Sequence, residues 1–168
     1  MRISRHLGIY NAKVIPAYWY LYYYGNEYAA VTGGWATYAG PYAGSDVSAT
    51  KNSDNITLVA SAGGSTSRTA YAQTASLVDL TDAKRLVLMT TQTTGGTSYL
   101  FSAFEVLNSS GAVVLSANIA TGNSIETTLD VSGLSGSYRI RVRDYSTAAN
   151  ISTVKRTVIM YRVTAFST

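Results

Sequence analysis

Ser124–Arg143 reads SIETTLDVSGLSGSYRIRVR, and its alternation decides the fold. Ile125, Thr127, Leu129 and Val131 fall on one side of an extended chain, and Ser124, Glu126, Thr128 and Asp130 on the other. After the Gly-bounded corner Ser132–Gly136, Tyr138, Ile140 and Val142 alternate with Arg139, Arg141 and Arg143. A period of two places one face in a core and the other in water, which describes half-buried antiparallel strands.

Strands continue on both sides at the spacing of a sandwich. Ile56–Ala60, Arg68–Ala75, Arg85–Thr91, Tyr99–Leu107 and Ala112–Ile119 are expected to be extended. Thr94-Gly95-Gly96 is expected to join the third and fourth as a hairpin, and Asn108–Gly111 the fourth and fifth. Leu80-Thr81-Asp82-Ala83 reads as a single helical turn, and residues 42–55, after Gly40-Pro41, as loop. The final strand, Thr153–Phe166, changes its polar face near Val158, which predicts a bulge there or burial on both sides. No helical stripe exceeds about two turns, and no internal repeat occurs.

The chain has 168 residues, enough for one domain with a real core. It has no Cys, so neither a disulfide framework nor a thiolate metal site exists. Charged residues are only 13%, which suits a neutral polar surface or a subunit that hides surface in an assembly. Of the net charge of +4, Arg2, Arg5 and Lys13 supply three before the first acid, so the body is near neutral. That leaves too little clustered charge for a duplex-binding face, and no nucleic acid partner is expected.

The basic arm leads into Tyr18–Tyr42, YWYLYYYGNEYAAVTGGWATYAGPY, which holds both Trp and more than half of the 14 Tyr. The apolar run from Val14 to Tyr24 contains Pro16 and six aromatics, so it reads as a strand. It lacks the features of a secretory signal and is too short to span a bilayer as a helix, so neither is expected. Ile3, Leu7, Ile9, Tyr10 and Val14 favour an arm that docks over one that is disordered. With 14 Tyr against three Phe, aromatic groups with a polar tip dominate, as at interfaces and sugar platforms.

No catalytic constellation is present, and the chain is not expected to be an enzyme. The only His, His6, lies in the arm, which excludes a Ser-His-Asp set from the body. Glu105 and Glu126 sit on expected strands and are the best candidates for a facing carboxylate pair, but acids are ordinary on half-exposed sheets. The paired glycines lack phosphate-loop spacing. Asp46, Asp54 and Asp144 are loop candidates for calcium without a D-x-D-x-D pattern, so no metal and no cofactor is assigned. The row Arg139, Arg141, Arg143 either grips carboxylates or phosphates or keeps an edge or outer-face strand soluble.

Leu21–Trp35, LYYYGNEYAAVTGGW, resembles a motif of virion proteins from tailed phages and prophages of Gram-positive bacteria. VDLTDAKRL (Val78–Leu86) and LDVSGLSGSYRIRV (Leu129–Val142) are similar to recurrent pieces of their sandwiches. The resemblance implies a non-enzymatic tail-tip, fibre or head-decoration subunit, made in the host cytoplasm without a signal peptide and located in the virion. It implies a jelly-roll-like antiparallel β-sandwich over residues 29–168, preceded by a docking arm and aromatic strand over residues 1–28. Other virion proteins, copies of itself and a host-surface glycan are the expected partners, without membrane insertion. Ile9, Tyr10, Tyr18, Trp19, Tyr20, Tyr22 and Tyr24 are the expected subunit contacts. Trp35, Tyr38, Tyr42, Arg139 and Arg141 are the expected ligand contacts, and a carbohydrate-binding module is the alternative reading.

Overall fold

A computed structural model describes residues 15–28, 30–41, 47–64, 66–93, 99–147 and 149–168, without the side chains of residues 63–64 and 149–153. Within these residues the protein is all β, built of two antiparallel sheets packed as a sandwich. The strands are β1 (Tyr18–Tyr23), β2 (Asn26–Glu27), β3 (Trp35–Gly40), β4 (Val47–Lys51), β5 (Ile56–Gly64), β6 (Arg68–Thr74) and β7 (Val78–Asp79). They continue with β8 (Arg85–Thr93), β9 (Leu100–Leu107), β10 (Val113–Asn118), β11 (Gly122–Asp130), β12 (Ser137–Ser146) and β13 (Ala149–Phe166). None of the described residues forms a helix long and apolar enough to cross a membrane.

The six-stranded sheet runs β10-β9-β12-β6-β3, with β7 continuing beside β12. The seven-stranded sheet is organised by β13. One side of β13 pairs with β8, and β8 with β11. The other side pairs first with β5, which carries β4, and then with β1, which carries β2. Leu58, Leu86, Leu88, Val158, Met160 and Val163 from this sheet meet Ala72, Phe104, Val106, Ile140 and Val142 from the other in one buried cluster.

Several expectations are corrected by the pairing. Arg85–Thr91 and Tyr99–Leu107 do not form a hairpin: β8 and β9 lie in different sheets, so the chain changes sheets between them. The turn at Asn108–Gly111 does join β9 to β10, held by N–H groups of Ser110 and Ala112 donating to the Asn108 carboxamide oxygen. The expected loop 42–55 contains β4, a strand with a single buried aliphatic side chain, Val47. Residues 80–83 make a turn closed by the Ala83 N–H on the Leu80 carbonyl, not a helix. The change of face in the last strand is a bulge between Met160 and Arg162, two residues beyond the place the polar pattern suggested. It turns burial from the even positions Val158 and Met160 to the odd positions Val163 and Ala165.

β1 is also a full member of the seven-stranded sheet, not part of a separate arm. A register shift between Tyr20 and Tyr22 lets two successive side chains, Leu21 and Tyr22, turn inward. Burial pushes the Tyr22 hydroxyl up to about 12, against the nearby Gly25 N–H, which pulls it down. Tyr22 meets the Trp35 ring edge to face at 6.1 Å, and Trp35 Nε1 donates to the Leu21 carbonyl at 3.1 Å. The arm's residues 1–14 lie outside the described residues.

A polar tie joins the sheets at the end of the sandwich near Leu100. Asp144 of β12 points inward and is fully buried. It accepts from the Ala60 N–H of β5 at 3.1 Å and from the Ser102 hydroxyl of β9 at 2.9 Å.

Candidate functional site

The outward positions of the six-stranded sheet assemble a face from five strands. Register aligns Tyr38, Tyr71, Arg143, Ala103 and Asn118 in one cross-strand row. The row on one side holds Gly40, Thr69, Tyr145 and Phe101. The row on the other holds Ala36, Gln73, Arg141, Glu105 and Ser116. These positions face outward because their strand neighbours, Ala70, Ala72, Phe104, Val106, Ile140 and Val142, fill the core, and among them Ala103 and Glu105 are covered by their neighbours on the face.

The rings and guanidinium groups form two stacks. Tyr38 stacks on Tyr71 at 4.9 Å with 20° between planes, and Arg141 lies 5.5 Å over Tyr71. Phe101 stacks on Tyr145 at 5.3 Å with 25° between planes, and Arg143 lies 4.1 Å over Tyr145. Tyr71 and Tyr145 are thus covered, whereas Tyr38 and Phe101, at the two ends, remain 48% and 38% exposed and offer ring surface to a ligand. Tyr38 leans along its strand over Gly40, where a Cβ would stand 2.5 Å from the Tyr38 hydroxyl oxygen.

Glu105 links the two stacks. Its Oε2 accepts from Arg141 Nε at 2.6 Å and its Oε1 faces Arg143 Nη2 at 2.8 Å, while the carboxylate itself is only 2% exposed. Arg139 reaches across to donate to the carbonyls of Thr74 at 3.0 Å and Ala75 at 2.5 Å. Beyond Phe101 opens a cleft of about 240 Å³ that includes Gln92, Ser102, Asn118, Thr121 and Arg156 in its wall. Gln92 Oε1 and Arg156 Nε are buried there without a partner among the described residues. The face therefore offers open ring surface at two points, with hydrogen-bond donors fixed between them.

Of the expected ligand contacts, Tyr38, Arg139 and Arg141 sit on this face. Trp35 does not: at 1% exposed it is a core residue, because β3 begins by turning inward against Thr74. Tyr42 lies outside the described residues. Arg143, the third of the Arg row, is also on the face, and Tyr71, Phe101, Glu105 and Tyr145, which carry no ligand assignment from sequence, complete it. The Arg row is on a central strand of the sheet, not an edge. Glu105 and Glu126 stand on opposite outer faces, Glu126 paired with Arg162 on the other sheet, so they do not form a facing pair. Asp144 is an interior group, not a loop ligand for calcium, and Asp54 accepts from the Asn55 carboxamide. Asp46 lies outside the described residues.

Of the expected subunit contacts, Tyr18, Tyr20 and Tyr24 do line the outer face of the other sheet. With Tyr23, Tyr28, Tyr161 and Phe166 they form a chain of rings 4.6–6.0 Å apart. Trp19 is half-buried against the core, and Tyr22 lies inside it. Ile9 and Tyr10 lie outside the described residues.

No protein family model and no curated protein sequence matches the chain. Solved structures match its fold. A carbohydrate-binding module of the β-sandwich superfamily superposes with a TM-score of 0.52 at 8% identity, over 85% of this chain and 60% of that one. The glycoside hydrolase domain structure of Endo-D from Streptococcus pneumoniae R6 gives 0.50 at 10% identity, over 80% of this chain but 22% of that one. A family 29 carbohydrate-binding module from Piromyces equi gives 0.49 at 13% identity, over 89% of each chain. At these identities the likeness is one of fold: a β-sandwich shared with carbohydrate-binding modules and with a part of a larger enzyme.

Proposed function

We propose that the chain is a non-catalytic carbohydrate-binding module whose ligand lies across the outer face of the six-stranded sheet. The observation that carries this reading is the pair of stacks Tyr38–Tyr71–Arg141 and Phe101–Tyr145–Arg143, linked through Glu105. Open aromatic surface packs against the C–H face of a sugar, and fixed guanidinium and amide donors meet its hydroxyls. The carbohydrate-binding module that superposes on this chain supports the reading at the level of architecture.

A glycan array followed by titration calorimetry tests it. Tyr38→Ala is expected to weaken binding about tenfold, the equivalent of about 1.4 kcal/mol. Tyr38 is half-exposed, so the variant is expected to fold normally. An array without hits, or a Tyr38→Ala protein that binds like the wild type, refutes the reading.

A second reading, a virion subunit that docks through its N-terminal arm and self-associates, is favoured by the ring chain around Tyr18, Tyr20 and Tyr24 on the other outer face. Tyr and Trp clusters of this kind anchor protein interfaces. The two readings use different sheets and are compatible. Phage particles that retain the protein after deletion of residues 1–14 refute the docking arm.

A further inference from the structure

The glycan face carries more positive charge than its own geometry uses. Arg139, Arg141 and Arg143 occupy successive outward positions of β12, roughly 7 Å apart along the strand. The one carboxylate among them in the described residues, Glu105, commits one oxygen to Arg141 and the other to Arg143. Among the described residues, Arg139 is met only by the neutral carbonyls of Thr74 and Ala75. The acid next to Arg143 in the chain does not offset the surplus. Asp144 of the same strand turns inward to Ala60 and Ser102. The remaining outward groups, Thr69, Gln73, Ser116 and Asn118, are neutral.

Three guanidinium groups to one carboxylate is a costly arrangement in a chain with only 13% charged residues. Neutral hydroxyls would be served equally well by Tyr, Gln and Asn. The two central guanidinium groups are also held in fixed planes, between a ring and the Glu105 carboxylate. A planar anion that approaches them meets donors already oriented.

We infer that the glycan bound by this face is acidic, a polysaccharide whose carboxylates seat against Arg141 and Arg143. The inference rests on the reading of this face as a glycan site, and the experiment separates the two. The intact protein is titrated with polygalacturonate, alginate and hyaluronan, each beside the same polymer after reduction of its carboxyl groups. At least one acidic form is expected to bind at least tenfold more tightly than its reduced form. The difference is expected to shrink between about 50 mM and about 500 mM salt, as screening predicts. Arg143→Gln is expected to lose the preference, Arg143→Lys to keep most of it, and Tyr38→Ala to weaken both forms alike.

A reduced polymer that binds as tightly as its acidic parent overturns the inference and leaves the glycan reading standing. So does an Arg143→Gln protein, folded by circular dichroism, that keeps the preference. A sulfated dextran that outcompetes every carboxylate polymer overturns the assignment to carboxylates. Binding to none of the acidic, reduced or neutral glycans removes both the inference and the reading beneath it.

Discussion

Asp144 makes the stability of this protein depend on pH in an unusual direction. Burial pushes its carboxyl up to about 7 from an ordinary 3.8, although the Ser102 hydroxyl, the Arg156 charge and the N–H groups of Ala60 and Tyr145 pull the other way. The folded state then holds a proton that the unfolded chain releases. A carboxyl raised in this way contributes stability below its unfolded value and loses it as pH rises through about 7. Between pH 5 and pH 8 the loss integrates to about 2–3 kcal/mol. With a urea dependence of about 2 kcal/mol per molar, the unfolding midpoint falls by a little over 1 M.

Other carboxyls act below this window. The Glu27 carboxyl is held below its ordinary value: burial raises it, but the Lys51 ammonium and the Trp35 N–H outweigh that. Asp130 is held down mainly by the Ser132 hydroxyl and N–H. Their stabilisation is fully present above their unfolded values and is lost only on acidification, so neither tilts the curve from pH 5 to pH 8. The ordinary range of a histidine overlaps this window and the chain holds one, so Asp144→Asn carries the assignment. Urea unfolding followed by tryptophan fluorescence is expected to show a falling midpoint for the wild type and a nearly level one for the variant. A wild-type midpoint that is level or rises, or a variant that keeps the wild-type slope, refutes the reasoning.

Further outcomes test the fold and the face. Trp35→Ala is expected to cost about 3–5 kcal/mol by urea unfolding. Trp35→Phe is expected to cost about 1–3 kcal/mol, because the Leu21 carbonyl loses its donor, and to leave glycan affinity unchanged. Gly25→Ala is expected to destabilise by more than about 1 kcal/mol, since its φ is +82° and a Cβ would stand 1.8 Å from the Ser53 carbonyl oxygen. Gly133→Ala, with nothing within 4 Å of the new Cβ, is expected to stay within about 0.5 kcal/mol of the wild type. Gly40→Ala is expected to lower glycan affinity by calorimetry more than it lowers stability, because the new methyl displaces the Tyr38 ring.

The sandwich was legible because most of its strands alternate strictly, as Thr127, Leu129 and Val131 or Ile140 and Val142 do. What was not legible depended on which strands become neighbours. Residues 94–96 carry the composition of a tight hairpin, yet β8 and β9 on either side belong to different sheets, and composition alone does not distinguish the two. β4 went unseen because a two-sided polar strand with one apolar anchor, Val47, resembles a loop. The candidate face was half legible. Arg139, Arg141 and Arg143 announce an outward row, and Arg143 covers Tyr145 on the same strand, but the other rings come from elsewhere: Tyr71 under Arg141 from β6, and Phe101 against Tyr145 from β9. Tyr38 and Trp35 look equivalent in sequence. Their roles are set by a difference of three in position, an odd number, which sends them to opposite faces of one strand.

The central place of β13 has a consequence for how the chain acquires its structure during synthesis. Every strand of the six-stranded sheet has been made by the time Ser146 is joined. β1, β5 and β8 then exist as three unconnected edges, each apolar on one side, and none of them pairs with another. The residues that join them all follow Ser146, and the contact that closes the sheet pairs Phe166 with Tyr18. Loop closure over that separation is slow, and the waiting edges are open to intermolecular pairing. The seven-stranded sheet is therefore completed only after β13 has left the ribosome, as a late step that zips three edges at once.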